Sequence, residues 1–178
     1  MNNWLSAGHY HSQRNNSHRP FYECGNTSLA NLICSDFYPE EWRNFDIPVD
    51  NYIYEWLRGP KAQGHAKTIG AWAERTPEQV PEMLRYAAQE LTGITHGLTW
   101  KGDEEIFDLG VPFIIASRFY QGRKDGHYVM VGGKVVINDP LGNPLDKYKS
   151  ANGYGISMSL DLFMANFDGI AIYPDMEV

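Results

Sequence analysis

The order of local patterns along the chain restricts its fold more than any single motif. Residues 24–109 carry helical signals, and residues 111–174 carry dense apolar, strand-like runs. Helices first and strands afterwards, without βαβ alternation, point to an α+β domain with an antiparallel sheet. The second half reads as Val111 to Phe119 (VPFIIASRF), then a hairpin from His127–Val131 through Gly132-Gly133 into Lys134–Pro140. A short helix near Leu160–Phe167 and a last strand from Gly169 to Pro174 follow.

The first half is punctuated by caps and breakers. Cys24 opens a helix with Gly25, Asn26, Thr27 and Ser28 as a polar entry and Leu29, Ala30, Leu32 and Ile33 as an apolar stripe. Asp50 caps a short helix through Trp56–Leu57, and Gly59-Pro60 ends it. Lys61–His65 (KAQGH) reads as a loop. Thr76 and Gln79 form a capping-box pattern, Pro77 suits the first helical position and Gly93 closes the helix. Its apolar face is Val80, Leu84, Ala87, Ala88 and Leu91, and a short helix from Asp103 to Leu109 follows. Ahead of Cys24, a strand over Gly8–Ser12 leads into a loop. With 178 residues, a single domain, 1–178, is expected.

Composition narrows the partners. A net charge of −7 and the lack of a dense basic run exclude a nucleic-acid binder. No apolar stretch is long enough for a signal peptide core or a membrane span, so cytoplasmic synthesis without membrane insertion is expected. Two cysteines cannot build a cysteine zinc site. A helix through both separates them by roughly 15 Å, beyond the ~7 Å that a disulfide spans. His9, His11 and His18 lack a carboxylate at ligand spacing and read as solvated loop residues. No metal or cofactor is called for.

Two constellations carry chemistry. A thiol at a helix N-terminus faces unpaired N–H groups and the positive end of the helix dipole, so Cys24 is expected to favour its thiolate. Cys34 reads as core. In the hairpin, a three-residue connection pairs Val131 with Val135, Val129 with Ile137 and His127 with Asp139, placing an imidazole beside a carboxylate. A two-residue turn would put Asn138 or Pro140 opposite His127 instead. Cys24 as nucleophile, His127 as base and Asp139 as its orienting group make a Cys–His–Asp set for acyl transfer.

The segments Ser12-Gln13-Arg14-Asn15-Asn16, Cys24-Gly25-Asn26-Thr27-Ser28-Leu29-Ala30, Gly126-His127-Tyr128-Val129 and Asn138-Asp139-Pro140 resemble the papain-like cysteine peptidases. The closer likeness is to the branch with the peptidase domains of bacteriocin-exporting transporters and related phage and bacterial cell-wall enzymes. The resemblance implies a papain-like fold, with the nucleophile's helix packed on a C-terminal antiparallel sheet. It further implies that the Gln13 side chain and the Cys24 N–H form the oxyanion hole. It leaves residues 36–105 as a variable, aromatic-rich, mainly helical insertion, and Asn31 departs from the apolar residue common in relatives.

The resulting expectation is a monomeric cysteine peptidase, of phage-lysin type, that cuts the peptide part of peptidoglycan after release to the wall. A non-catalytic peptide or cell-wall binding module, an intracellular processing protease and a thiol acyltransferase are the alternatives.

Overall fold

In the computed structural model, residues 3–16, 23–71, 76–99, 106, 110–117, 127–133 and 135–175 are described. Helix α1 (Cys24–Ile33) is followed by α2 (Val49–Arg58), α3 (Pro60–Thr68) and α4 (Pro81–Thr92). Six strands come next: β1 (His96–Thr99), β2 (Phe113–Ser117), β3 (His127–Gly133), β4 (Val136–Asn138), β5 (Ile156–Ser157) and β6 (Phe167–Pro174), with α5 (Leu160–Ala165) before the last. They form one antiparallel sheet in the order β1-β6-β2-β3-β4-β5.

Period-two alternation gives the sheet two apolar faces. Ile114, Ala116, Tyr128, Met130 and Ile172 pack with the helices around α1. Phe113, Ile115, Val129, Val131, Ile137 and Ala171 form a second cluster with Phe163 of α5. Each fully buried large side chain contributes roughly 1.5–3 kcal/mol.

Helix α1 is buried along its whole length from Gly25 to Ile33, not only on the expected stripe. Its polar residues fasten it to its neighbours. Ser28 Oγ donates to the Tyr128 carbonyl (2.8 Å), and Asn26 Nδ2 donates to the Asp50 carbonyl (3.1 Å). Gly25 serves close approach rather than capping. A Cβ there would lie 2.0 Å from the Glu78 carbonyl oxygen, so only glycine lets the 3-10 turn Pro77–Gln79 pack on this helix.

Five expectations are corrected. Gly8–Ser12 is not a strand: 3-10 turns occupy Ala7–His9 and Gln13–Asn15. Lys61–His65 is not a loop but part of α3. Pro60 starts that helix, and His65 stacks on Tyr86 of α4 at 3.8 Å, which offsets the helix-interior cost of Gly64. The helix expected from Thr76 is split, because Pro81 holds Val80 in extended backbone (φ −101°, ψ 113°). Asp50 lies inside α2 rather than capping it, since Pro48 takes the N-cap.

The hairpin register also differs. Val131 pairs with Ile137 and Met130 with Asn138, two residues away from the expected pairing, and a bulge near Gly133 absorbs the difference. A two-residue shift preserves which side chains share a face. The expected helix Asp103–Leu109 lies outside the described residues apart from Ile106, as does His18.

Candidate active site

Cys24 is the first residue of α1, half-buried, with Glu23 at the N-cap. The first N–H groups of a helix have no intrahelical acceptor, so the Cys24 amide is available at this end. His127 opens β3, and Asp139 follows the last residue of β4; both are buried. His127 Nε2 lies 2.7 Å from Asp139 Oδ1. An ionised carboxylate only accepts, so Nε2 carries the proton. Cys24 also acts on the same imidazole, favouring its protonated form. With Nε2 committed to Asp139, Nδ1 is the nitrogen that serves the thiol. Continued by one residue, the observed β3–β4 register sets Asp139 beside Val129, so it meets His127 on the diagonal rather than directly opposite.

Burial alone would strip the proton from His127. The charge and hydrogen bond of Asp139, together with Cys24, overturn that and push its pKa up to about 10. The site therefore holds an imidazolium between a carboxylate and a sulfur.

Asp139 is itself fixed. Oδ1 also accepts from the Leu141 N–H (2.9 Å), and Oδ2 accepts from the Tyr148 hydroxyl (3.2 Å). The N-terminal segment is laced to the same corner. Tyr10 Oη donates to the Asp139 carbonyl (2.6 Å), the Gln13 N–H to the Pro140 carbonyl (2.9 Å), and Arg14 Nε to the Leu141 carbonyl (2.5 Å). Gln13 is buried in this segment. The structure thus brings Cys24, His127 and Asp139 together and ties the backbone of Gln13 to the corner that carries Asp139.

Three contributors were missed from the sequence. Asn31, buried in α1, grips the His11 backbone from both sides: the His11 N–H donates to Asn31 Oδ1 (2.7 Å), and Asn31 Nδ2 donates to the His11 carbonyl (3.0 Å). The residue that departs from the apolar one common in relatives therefore holds the stretch of chain that leads to Gln13. Glu23 is fully buried, and its Oε2 accepts from Asn16 Nδ2 (2.8 Å) and Asn26 Nδ2 (3.4 Å). Tyr148 is the third. The polar stretch around Cys24 was the available signal for the first two, since buried polar residues require partners.

Cys34 lies at the opposite end of α1, buried, and burial pushes its thiol up to about 12. It neighbours His11 Nε2 (3.6 Å) and donates to the Trp42 carbonyl (3.4 Å). His11 Nδ1 sits 3.4 Å from Asp50 Oδ1, and His9 Nδ1 is 2.7 Å from Ser6 Oγ. Among the described residues, no three His, Cys, Asp or Glu side chains gather as metal ligands, and no helix is long and apolar enough to cross a membrane.

No protein-family model matches the chain, and no curated protein does. Solved structures do. The peptidase domain of Streptococcus ComA, a bi-functional ABC transporter involved in a quorum sensing pathway, superposes with a TM-score of 0.53 at 21% identity, over 87% of this chain and 93% of that one. A double glycine motif protease from an AMS/PCAT transporter, solved in complex with its leader peptide, gives 0.50 at 19% identity, over 86% of each chain. The fold is papain-like. Within it, the helix that begins at Cys24 lies against the sheet whose strands carry His127 and lead into Asp139, the packing that the sequence resemblance implied.

Proposed function

We propose that this protein is a cysteine peptidase in which Cys24 attacks the scissile carbonyl, His127 moves the proton and Asp139 orients the imidazole. The observation that carries the reading is the buried His127–Asp139 pair (2.7 Å), whose imidazole is also held protonated by a cysteine at a helix N-terminus. The thiolate forms a C–S bond, and the carbonyl π electrons move onto oxygen. Gln13 and the Cys24 N–H stabilise that oxyanion. As it collapses, the amide C–N bond breaks and His127 gives its proton to the leaving amine. Water, deprotonated by His127, then attacks the acyl-enzyme and releases the thiolate. A module that only binds peptide has no use for a buried ion pair, since removing such charges from water costs several kcal/mol per ion.

For the substrate, we propose the stem peptides of bacterial peptidoglycan, with the protein acting as a phage-type lysin. It would be made in the cytoplasm, work as a monomer and reach the wall during lysis. The support is the sequence likeness to phage and cell-wall enzymes. A double-glycine leader peptide is the second reading, favoured by the leader-bound neighbour.

The test is to incubate the purified protein with peptidoglycan fragments and, separately, with double-glycine leader peptides, and to follow the products by mass spectrometry. Cleavage by the wild type that disappears in Cys24→Ala with unchanged melting supports the peptidase. The substrate that is cut selects between the two readings. An intact Cys24→Ala variant that still cleaves would reject the nucleophile.

A further inference from the structure

Tyr148 stands outside the Cys–His–Asp set, yet the chain adopts an uncommon conformation to deliver it. Lys147 and Tyr148 both have positive φ (60° and 62°), a left-handed backbone rarely taken by residues with a Cβ. Such outliers persist where the surroundings over-determine them, and they cluster at working sites. Here the surroundings do so. The Tyr148 N–H donates to the Asn143 carbonyl (2.8 Å), and Arg14 Nη2 donates to the Tyr148 carbonyl (2.8 Å). Asp146 closes the loop by accepting from the Lys149 and Ser150 N–H groups, both at 3.0 Å.

The side chain that results from this backbone touches both members of the buried pair. The Tyr148 hydroxyl donates to Asp139 Oδ2 (3.2 Å), and its ring stands edge-on to the His127 ring, with centroids 6.2 Å apart at 88°. Oδ1 of the same carboxylate takes His127 Nε2–H and the Leu141 N–H. With Oδ2 held as well, the carboxylate cannot rotate away from the imidazole. We infer that Tyr148 is a positioning residue: it fixes the rotamer of Asp139 so that Oδ1 stays on His127 Nε2, and it walls the pair on that side. This rests on the peptidase reading for its bearing on turnover, but not for its geometry.

The titratable and charged groups around the pair include Cys24 from α1, Tyr10 and Arg14 from the N-terminal segment, and Tyr148 itself. Tyr148→Phe removes only the hydroxyl. The readout is the titration of the His127 ring by NMR in the wild type, Tyr148→Phe, Asp139→Asn and the double variant, each checked by its melt. The expected result is a lower His127 pKa in Tyr148→Phe, because a carboxylate free to turn spends less of its time with Oδ1 on Nε2–H. In the double variant it should equal Asp139→Asn alone, because the effect passes through the carboxylate. An unchanged value in Tyr148→Phe, or a shift that persists in the Asp139→Asn background, would overturn the inference. A His127 that behaves as expected in a protein that cuts no peptide would instead count against the peptidase reading alone.

Discussion

At the scale of single residues, Asp139 decides how the site responds to pH. Burial lowers the His127 pKa, but Asp139, helped by Cys24, overcomes this and brings it from 6.5 up to about 10 in the folded chain. A histidine with a raised folded pKa contributes stability that is complete below its unfolded value and is lost as pH climbs through the folded one. The melting temperature of Asp139→Asn should therefore fall furthest below wild type below about pH 6, and the gap should close as pH climbs toward 10, as scanning calorimetry at several pH values would read. Cleavage should follow the same group: the alkaline limb of its pH profile, which reports loss of the imidazolium proton, should move down toward neutrality in this variant. Asn31 acts through backbone rather than charge. Asn31→Leu forfeits both bonds to His11 and buries two unpaired backbone groups, at about 1–3 kcal/mol each. Turnover in Asn31→Leu should drop mainly through kcat, while alkylation of Cys24 by iodoacetamide, which needs no oxyanion hole, should keep its rate.

At the scale of elements, α1 is the piece that everything else grips. The 3-10 turn Pro77–Gln79 meets it at Gly25 and is held from behind by Arg58, whose Nη2 donates to both Glu78 carboxylate oxygens at 3.0 Å. Arg58 in turn lies over the Tyr54 ring, 3.3 Å from its centroid. Gly25→Ala places a methyl group against a backbone carbonyl rather than against a flexible side chain, so the turn or the helix must move. A loss of about 1–3 kcal/mol is expected in denaturant titration, with cleavage falling further than stability because Cys24 is the adjacent residue. Cys34 marks the other end of α1. Cys34→Ala should leave cleavage unchanged and cost about 1 kcal/mol for the small space it vacates. A folded but inactive Cys34→Ala would show that the wrong thiol had been assigned.

At the scale of the whole molecule, two buried histidines pull stability in opposite directions. His96 on β1 is tied to α4 and the loop after α1. Its Nε2 accepts from the Tyr38 hydroxyl (2.7 Å), its Nδ1 donates to the Ile94 carbonyl (2.7 Å), and burial lowers its pKa to about 4. A neutral buried histidine must be protonated on unfolding below pH 6.5, so its contribution is present above that value and drains away as pH falls toward 4. His96→Phe should flatten the acid side of the stability curve by up to ~3 kcal/mol, measured as the difference in unfolding free energy between pH 7 and pH 4.

The sequence by itself determined the fold class, the start of α1 at Cys24 and the pairing of His127 with Asp139. Those features rest on local physics: period-two apolar runs, a thiol beside cap residues, and a hairpin whose parity places His127 and Asp139 on one face for any register that differs by an even number of residues. That parity is why the site survived a register misread by two residues. What tertiary structure alone decided depends on neighbours distant in sequence. The helicity of Lys61–His65 is supported by the stacking of His65 on Tyr86 of α4, 21 residues away, and the break at Val80 comes from Pro81 overriding a valid cap. Asn31, Glu23 and Tyr148 read as ordinary polar or aromatic residues until their partners, His11, Asn16 and Asp139, are brought beside them. A buried polar group must be satisfied, but the sequence does not name the atom that satisfies it.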